Sequence, residues 1–208
     1  GETIVRYAKQ VQLLGHDLDR ALGGDTAPPS LAVGVNADSL ATWFLPALAA
    51  AHHELGVLFD IHRDDQEYTS ALLRSGKVMA AVTSEGAPVQ GCTSIELGTM
   101  HYRAVASPHF VARHLPSGVS PVDYLELEHA PLVEFDRKDA LQRGFLRESI
   151  GREPVSARHF VPTSADFASA VLLGLGWGML PDQQSTEAIR SGTLVELAPG
   201  VAHDVVLF

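Results

Sequence analysis

The chain has 208 residues, 46% of them hydrophobic and 19% charged, which is enough to bury a sizeable core and too apolar for a disordered segment. A formal net charge of −10 excludes a nucleic-acid footprint in this stretch, since phosphate binding needs clustered Lys and Arg, and suits a cationic small ligand better than an anionic polymer. Cys92 is the single cysteine, so no internal disulfide can form, and with neither an apolar run of membrane-spanning length nor a signal-peptide pattern the expected compartment is the cytoplasm.

In chain order, Ile4, Tyr7, Val11, Leu14, Leu18 and Ala21 alternate at spacings of three and four, the a/d pattern of a helix-helix seam. Gly23-Gly24 and Pro28-Pro29 then end that helix and mark a linker. Gly1 reads as mid-helix and Phe208 as strand, so a fragment of a longer protein is expected. Beyond the linker, strand and helix alternate: strand 31–35, helix 39–53, strand 57–62, helix 66–75 and strand 77–83, the last too apolar to have an exposed face. Such βαβ units predict a parallel sheet covered on both sides. A long strand at 95–107 leads to a second set: strand 131–135, a helix near 140–150, a strand near 157–161 and a helix over 166–173. Short elements follow at 177–180, 184–191, 193–197 and 205–208. Two α/β lobes with a cleft between them account for this series better than one sheet, and in such folds ligands sit beyond the carboxyl ends of the strands.

The junction at 31–48 focuses the search for a site. An apolar strand passes through Asn36-Ala37-Asp38-Ser39 into a helix, and the pair Asp38-Ser39 is expected to cap it, leaving first-turn N–H groups for a carboxylate. Asp38, Asp65, Asp136 and Asp166 all fall just after strands or at helix starts. Each alone reads as a cap or a solvated turn. Converging at one cleft, they would pair ammonium or guanidinium groups while Ser39, Thr83, Thr163, Ser164 and nearby N–H groups hold a carboxylate. The glycine-rich run 174–178 follows a helix instead of a strand, which is the context of a helix stop and not of a dinucleotide site. No HExxH, no Cys/His cluster at metal spacing and no GxSxG elbow is present, and Cys92 has no sequence cue for activation, so an enzyme is not expected.

The segments ADSLATWFLPAL, DDQEYTSALLRSG, KVMAAVTS, PLVEFD, PTSADF and GLGWGMLP, in that order, resemble the effector-binding part of LysR-type transcriptional regulators, closest to the lysine- and arginine-responsive branch of ArgP and LysG. The resemblance covers nearly the whole chain. It implies a two-lobed fold of type II periplasmic-binding-protein kind, with mixed sheets flanked by helices and the end of a dimerising linker helix in front. Residues 1–22 would be that helix, 23–30 the linker, 31–103 with 177–208 lobe I, and 104–176 lobe II. Effector contacts would then fall on Ser39, Asp64, Asp65, Thr83, Ser84, Glu134, Phe135, Asp136, Thr163, Ser164 and Asp166. The implied partners are a basic amino acid, a second copy in a homodimer or homotetramer, RNA polymerase, and operator DNA through an N-terminal winged helix-turn-helix outside this chain. No cofactor and no membrane are implied. Arg103 departs from the expectation, because a cation facing the cleft would oppose a basic effector. A periplasmic solute-binding protein for amino acids, which shares the lobes, is the alternative reading.

Overall fold

A computed structural model of the chain describes Ile4, Tyr7, Ala8, Val11, Gly15 and residues 28–63, 69–119 and 121–208. Ile4, Tyr7 and Val11 are helical and exposed, while Leu14, Leu18 and Ala21 of the expected seam lie outside the described residues. The chain forms two compact units, Gly1–Gly98 with Val206–Phe208, and Thr99–Val205.

In the first unit, β1 (Ser30–Val35) is the middle strand of a parallel sheet. It pairs with β2 (Leu58–Arg63) from Ser30↔Leu58 to Val35↔Arg63, and on its other side with β3 (Ala80–Ala81). The expected strand 77–83 is thus a two-residue ladder. Met79 N and Val82 N on either side still donate to Ala32 O and Gly34 O of β1, at 2.8 and 2.9 Å, while Thr83 exchanges both backbone hydrogen bonds with Phe208, at 3.0 and 2.9 Å, and Val78 and Val82 are buried as the apolar run requires. Gly34 lets a helix approach the sheet, since a Cβ there would stand 2.9 Å from Thr69 Cγ2. That helix is α2 (Thr69–Arg74), and its neighbour α1 comprises Ala37–Ser39, a π-helical stretch Leu40–Phe44 and Leu45–Leu55. Pro46 lacks an N–H and would clash with the carbonyl four residues back. The widened turn just before it relieves that conflict inside a continuous helix. Gly56, at φ 65°, ends α1 by donating to His52 O at 2.8 Å.

The second unit is built on β4 (Gly98–Ala106), which is antiparallel to β7 (Gly178–Pro181) and β8 (Val195–Glu196) and also pairs with β9 (Ala202–Leu207). These pairings all lie within the unit Thr99–Val205, apart from the ends of β4 and β9. A separate parallel pair joins β5 (Leu132–Glu134) to β6 (Arg158–Phe160), with Glu134 opposite Phe160. The helices are α3 (Pro108–His114), α4 (Tyr124–His129), α5 (Leu141–Ile150), α6 (Ser164–Leu172) and α7 (Asp182–Arg190). The short α3 and α4 were not expected from periodicity, though Ser107 and Asp123 cap them in the usual way, accepting from Phe110 N and Leu125 N. Val105, Val133, Phe167, Val171, Leu180 and Leu194 form the core, and the fully buried Trp177 lies with its ring centroid 6.0 Å from that of Phe145. The run 174–178 is a helix stop, as read: Gly174 N bonds Val171 O and Leu175 N bonds Ala170 O, both at 3.0 Å, with Gly174 left-handed at φ 80°. No helix among the described residues is long and apolar enough to cross a membrane.

Candidate functional site

The strand order β2-β1-β3 makes the end of β1 a switch point. The chain leaves β1 through α1 to one side, returns from β2 through α2, and adds β3 on the other side. Connections that part in this way open a crevice beyond the carboxyl end of the middle strand. Asn36 is the residue at that place. It is 1% exposed, and its Oδ1 accepts from Ser39 N at 2.7 Å, so Asn36 caps α1 and the expected Asp38-Ser39 cap is corrected. The reason is positional: a cap must precede the first helical residue in extended conformation, as Asn36 does at ψ 161°, whereas Asp38 and Ser39 are already helical. The signal was present as Asn-x-x-Ser directly after an apolar strand.

Among the described residues, three buried polar atoms of β1's carboxyl end and the helices around it have no hydrogen-bond partner: Asn36 Nδ2, Ser39 Oγ and Ser70 Oγ. Ser39 is wholly buried and Ser70 is 2% exposed. The Thr83 hydroxyl, just past β3, accepts from Glu85 N at 3.1 Å, and Ser84 follows it half-buried. Asp64 and Asp65 lie outside the described residues.

The remaining expected residues belong to the second unit, at the carboxyl ends of β5 and β6. Glu134 is fully buried and its carboxylate is taken by two arginines: Arg143 Nε donates to Oε1 at 2.7 Å and Arg158 Nη1 to Oε2 at 3.4 Å. Phe135 packs against the core cluster and donates its N–H to Asp139 at 2.8 Å. Asp136 Oδ1 accepts from Lys138 N at 2.7 Å and Asp139 N at 3.1 Å, which closes a tight turn. Thr163 caps α6, accepting from Asp166 N at 3.3 Å and donating to Asp166 Oδ2 at 2.5 Å. Ser164 accepts from Gln184 Nε2 at 2.9 Å. Each acid here therefore carries a local task, and only its spare lone pairs are left for a ligand. Arg137 lies 5.1 Å over the Phe160 ring.

Arg103 resolves the departure noted in the sequence. Its guanidinium donates to Asp182 at 2.5 and 3.3 Å and to Glu196 at 3.1 Å. The hydrogen bond to Asp182 is the main cause of a pKa raised above its ordinary value, with Glu196 adding to it against partial burial. The cation is spent within its own unit. Its partners lie 79 and 93 residues away, a separation no local pattern encodes. A second buried acid, Glu128, is clamped by both Nη atoms of Arg152 at 2.6 Å and accepts from Val155 N at 3.2 Å. The arginine bonds hold its carboxyl below the usual range against the effect of burial. Among the described residues no cluster of three or more His, Cys, Asp and Glu could hold a metal ion.

Residues 25–206 match the family description LysR substrate binding domain. The HTH-type transcriptional regulator ArgP of Pseudomonas aeruginosa is 39% identical over 211 residues, covering all of this chain and 69% of that protein. Among solved structures, ArgP from Mycobacterium tuberculosis superimposes with a TM-score of 0.87 at 37% identity, and full-length LysG from Corynebacterium glutamicum with bound effector Arg with 0.84 at 31%. Both comparisons cover 100% of this chain and 69% of the other. These relatives are named as transcriptional regulators, not as enzymes or solute carriers. An open switch point with unpartnered polar atoms, on a chain similar along its whole length to such regulators, leads to one assignment: the chain belongs to the LysR-type transcriptional regulators, as an effector-binding domain of that family.

Proposed function

We propose that this domain senses a basic amino acid, lysine or arginine, and so controls transcription of genes for amino-acid export or metabolism. The observation that carries the reading is the polar end of β1, where buried donors and hydroxyls stand without partners beside a capped helix start. Arginine is the effector bound in the Corynebacterium relative, which supports the same class of ligand here. Ser39, Thr83 and Ser84 take the carboxylate. Asp64 and Asp65 supply the negative field for the cationic end. The net charge of −10 favours such a ligand. The effector acts by binding one arrangement of a dimer or tetramer better than another, which shifts how winged helix-turn-helix domains outside this chain meet operator DNA and RNA polymerase.

Titration calorimetry against the twenty amino acids tests this. Saturable binding of lysine or arginine, with neutral and acidic amino acids at least tenfold weaker, is the expected result. A protein that binds neither basic amino acid overturns the reading and leaves the family assignment standing.

A further inference from the structure

In the second unit a cavity of about 230 Å³ opens between α5, the segment 153–156 and the start of β6, with Leu132, Arg143, Glu153, Pro154, Val155 and Arg158 among its walls. The charges in that wall do not balance. Glu134 is fully buried and takes two guanidinium groups, Arg143 at 2.7 Å and Arg158 at 3.4 Å, so one positive charge is left over. The acid on the rim is Glu153, whose side chain is 59% exposed and stands 3.6 Å from Arg143 and 3.8 Å from Arg147, beyond hydrogen-bond distance of both. An exposed pair of that length contributes little, and Glu153 occupies the place of an anion without closing it. Donors also remain. Arg143 spends Nε on Glu134 and Nη2 on Asp139 O, which leaves Nη1. Arg158 gives Glu134 one of its five N–H groups, and its guanidinium lies 5.7 Å from the centre of the Phe160 ring. Six of the chain's 15 lysines and arginines fall within residues 137–158, against three acids, so this region is locally positive on a chain of net charge −10 and draws anions.

We propose that this cavity binds a small organic carboxylate, with Arg158 and Arg143 Nη1 donating to the carboxylate and Leu132, Pro154 and Val155 covering its apolar body. Guanidinium groups match a carboxylate in both shape and charge. The apolar wall favours an organic acid over bare phosphate: Val155 is 74% exposed, and a ligand body laid on it takes apolar surface out of water. A volume below the roughly 300–1,000 Å³ usual for ligand pockets limits the occupant to a small acid. The site belongs wholly to the second unit and takes a ligand of opposite net charge to the effector proposed above, so neither reading depends on the other.

Calorimetry of the whole 208-residue chain with hexanoate and with hexanamide, which keeps the shape and lacks the charge, tests this. Hexanoate should bind at least about tenfold more tightly than hexanamide or inorganic phosphate. Arg158→Gln should remove that preference, while the shorter bond from Arg143 to Glu134 keeps the fold, as the thermal midpoint checks. Glu153→Gln should act in the opposite direction and tighten hexanoate severalfold, because it removes the acid that competes for Arg143. A purely structural Glu153 would give no such gain, and this variant decides the matter if Arg158→Gln fails to fold. Equal binding of hexanoate and hexanamide, phosphate bound as tightly as hexanoate, no uptake of hexanoate at millimolar concentration, or an affinity that neither exchange alters overturns the site.

Discussion

The two units treat buried polarity in opposite ways. At the carboxyl end of β1 the first unit buries neutral groups and leaves Asn36 Nδ2, Ser39 Oγ and Ser70 Oγ unpartnered. The second buries two carboxylates, Glu128 and Glu134, and pairs both with arginine. An unpaired neutral group costs stability that a ligand can restore, whereas an unpaired buried carboxylate costs several times more and must be neutralised by the fold itself. Polar burial in the second unit is therefore closed by the fold itself, whereas in the first, among the described residues, it is left open at the end where binding is proposed.

The largest effect should come from breaking that architecture. Arg143→Ala would leave Glu134 with only the longer Arg158 contact, and removing one partner of a buried pair typically costs about 3–5 kcal/mol. Urea unfolding should show a loss near the lower end of that range, because Arg158 remains. An unchanged midpoint would mean that Glu134 is not held as described.

Acid sensitivity should follow Glu128. Its folded pKa lies below the ordinary 4.5, so its contribution is complete above pH 4.5 and is lost as pH falls through the folded value. Glu128→Gln removes this titration. The stability gap between parent and variant should therefore be constant at neutral pH and narrow below about pH 4.5. A gap independent of pH down to acid unfolding would refute it.

Ser39→Ala tests the other side of the comparison. It should weaken lysine and arginine about tenfold while shifting stability by less than about 0.5 kcal/mol, since the hydroxyl gives up no protein hydrogen bond. A clear loss of stability at unchanged affinity would place Ser39 with the architecture instead.

Thr163→Ala sharpens the boundary between cap and contact. Loss of the cap should cost about 1 kcal/mol of stability. Asp166→Asn keeps the shape and much of the capping. Since Asn still offers an oxygen to the Thr163 hydroxyl, that variant should cost less stability than Thr163→Ala in the same urea unfolding.

The smallest effect concerns His114, whose pKa is lowered from 6.5 chiefly by burial, with Arg113 and His109 adding to it. The unfolded chain takes up a proton before the folded one, so stability should decline as pH falls from 6.5 toward the lower folded value and level off below it. His114→Gln should flatten that shallow limb, as thermal scans in closely spaced buffers would detect.

Elements with a strong local pattern were legible in the sequence. The strands at 30–35, 58–63 and 98–106 and the helices at 37–55, 141–150 and 164–172 lie within a few residues of where periodicity and turn residues put them. The short α3 and α4 escaped because six or seven residues carry less than two full turns of pattern. Strand β3 is shorter than its apolar run because Lys77 and Val78 bond back to Leu72 O at one end and Thr83 pairs with Phe208 at the other. At the junction after β1, the sequence pointed to a capped helix start but to the wrong capping residue.

By itself the sequence determined the α/β class, the family, the strand-to-helix junction at 35–39 and the acidic character that suits a basic ligand, since each rests on composition, on order, or on residues a few positions apart. Tertiary structure alone decided which charges are spent and which polar atoms are left over. Arg103 reaches Asp182 and Glu196 across 79 and 93 residues, Glu128 and Glu134 reach arginines up to 24 residues away, and Thr69 comes up against Gly34 through the order β2-β1-β3. Hydrogen bonds and ion pairs act over about 3 Å of space. Separation along the chain does not set that distance until the sheets have formed.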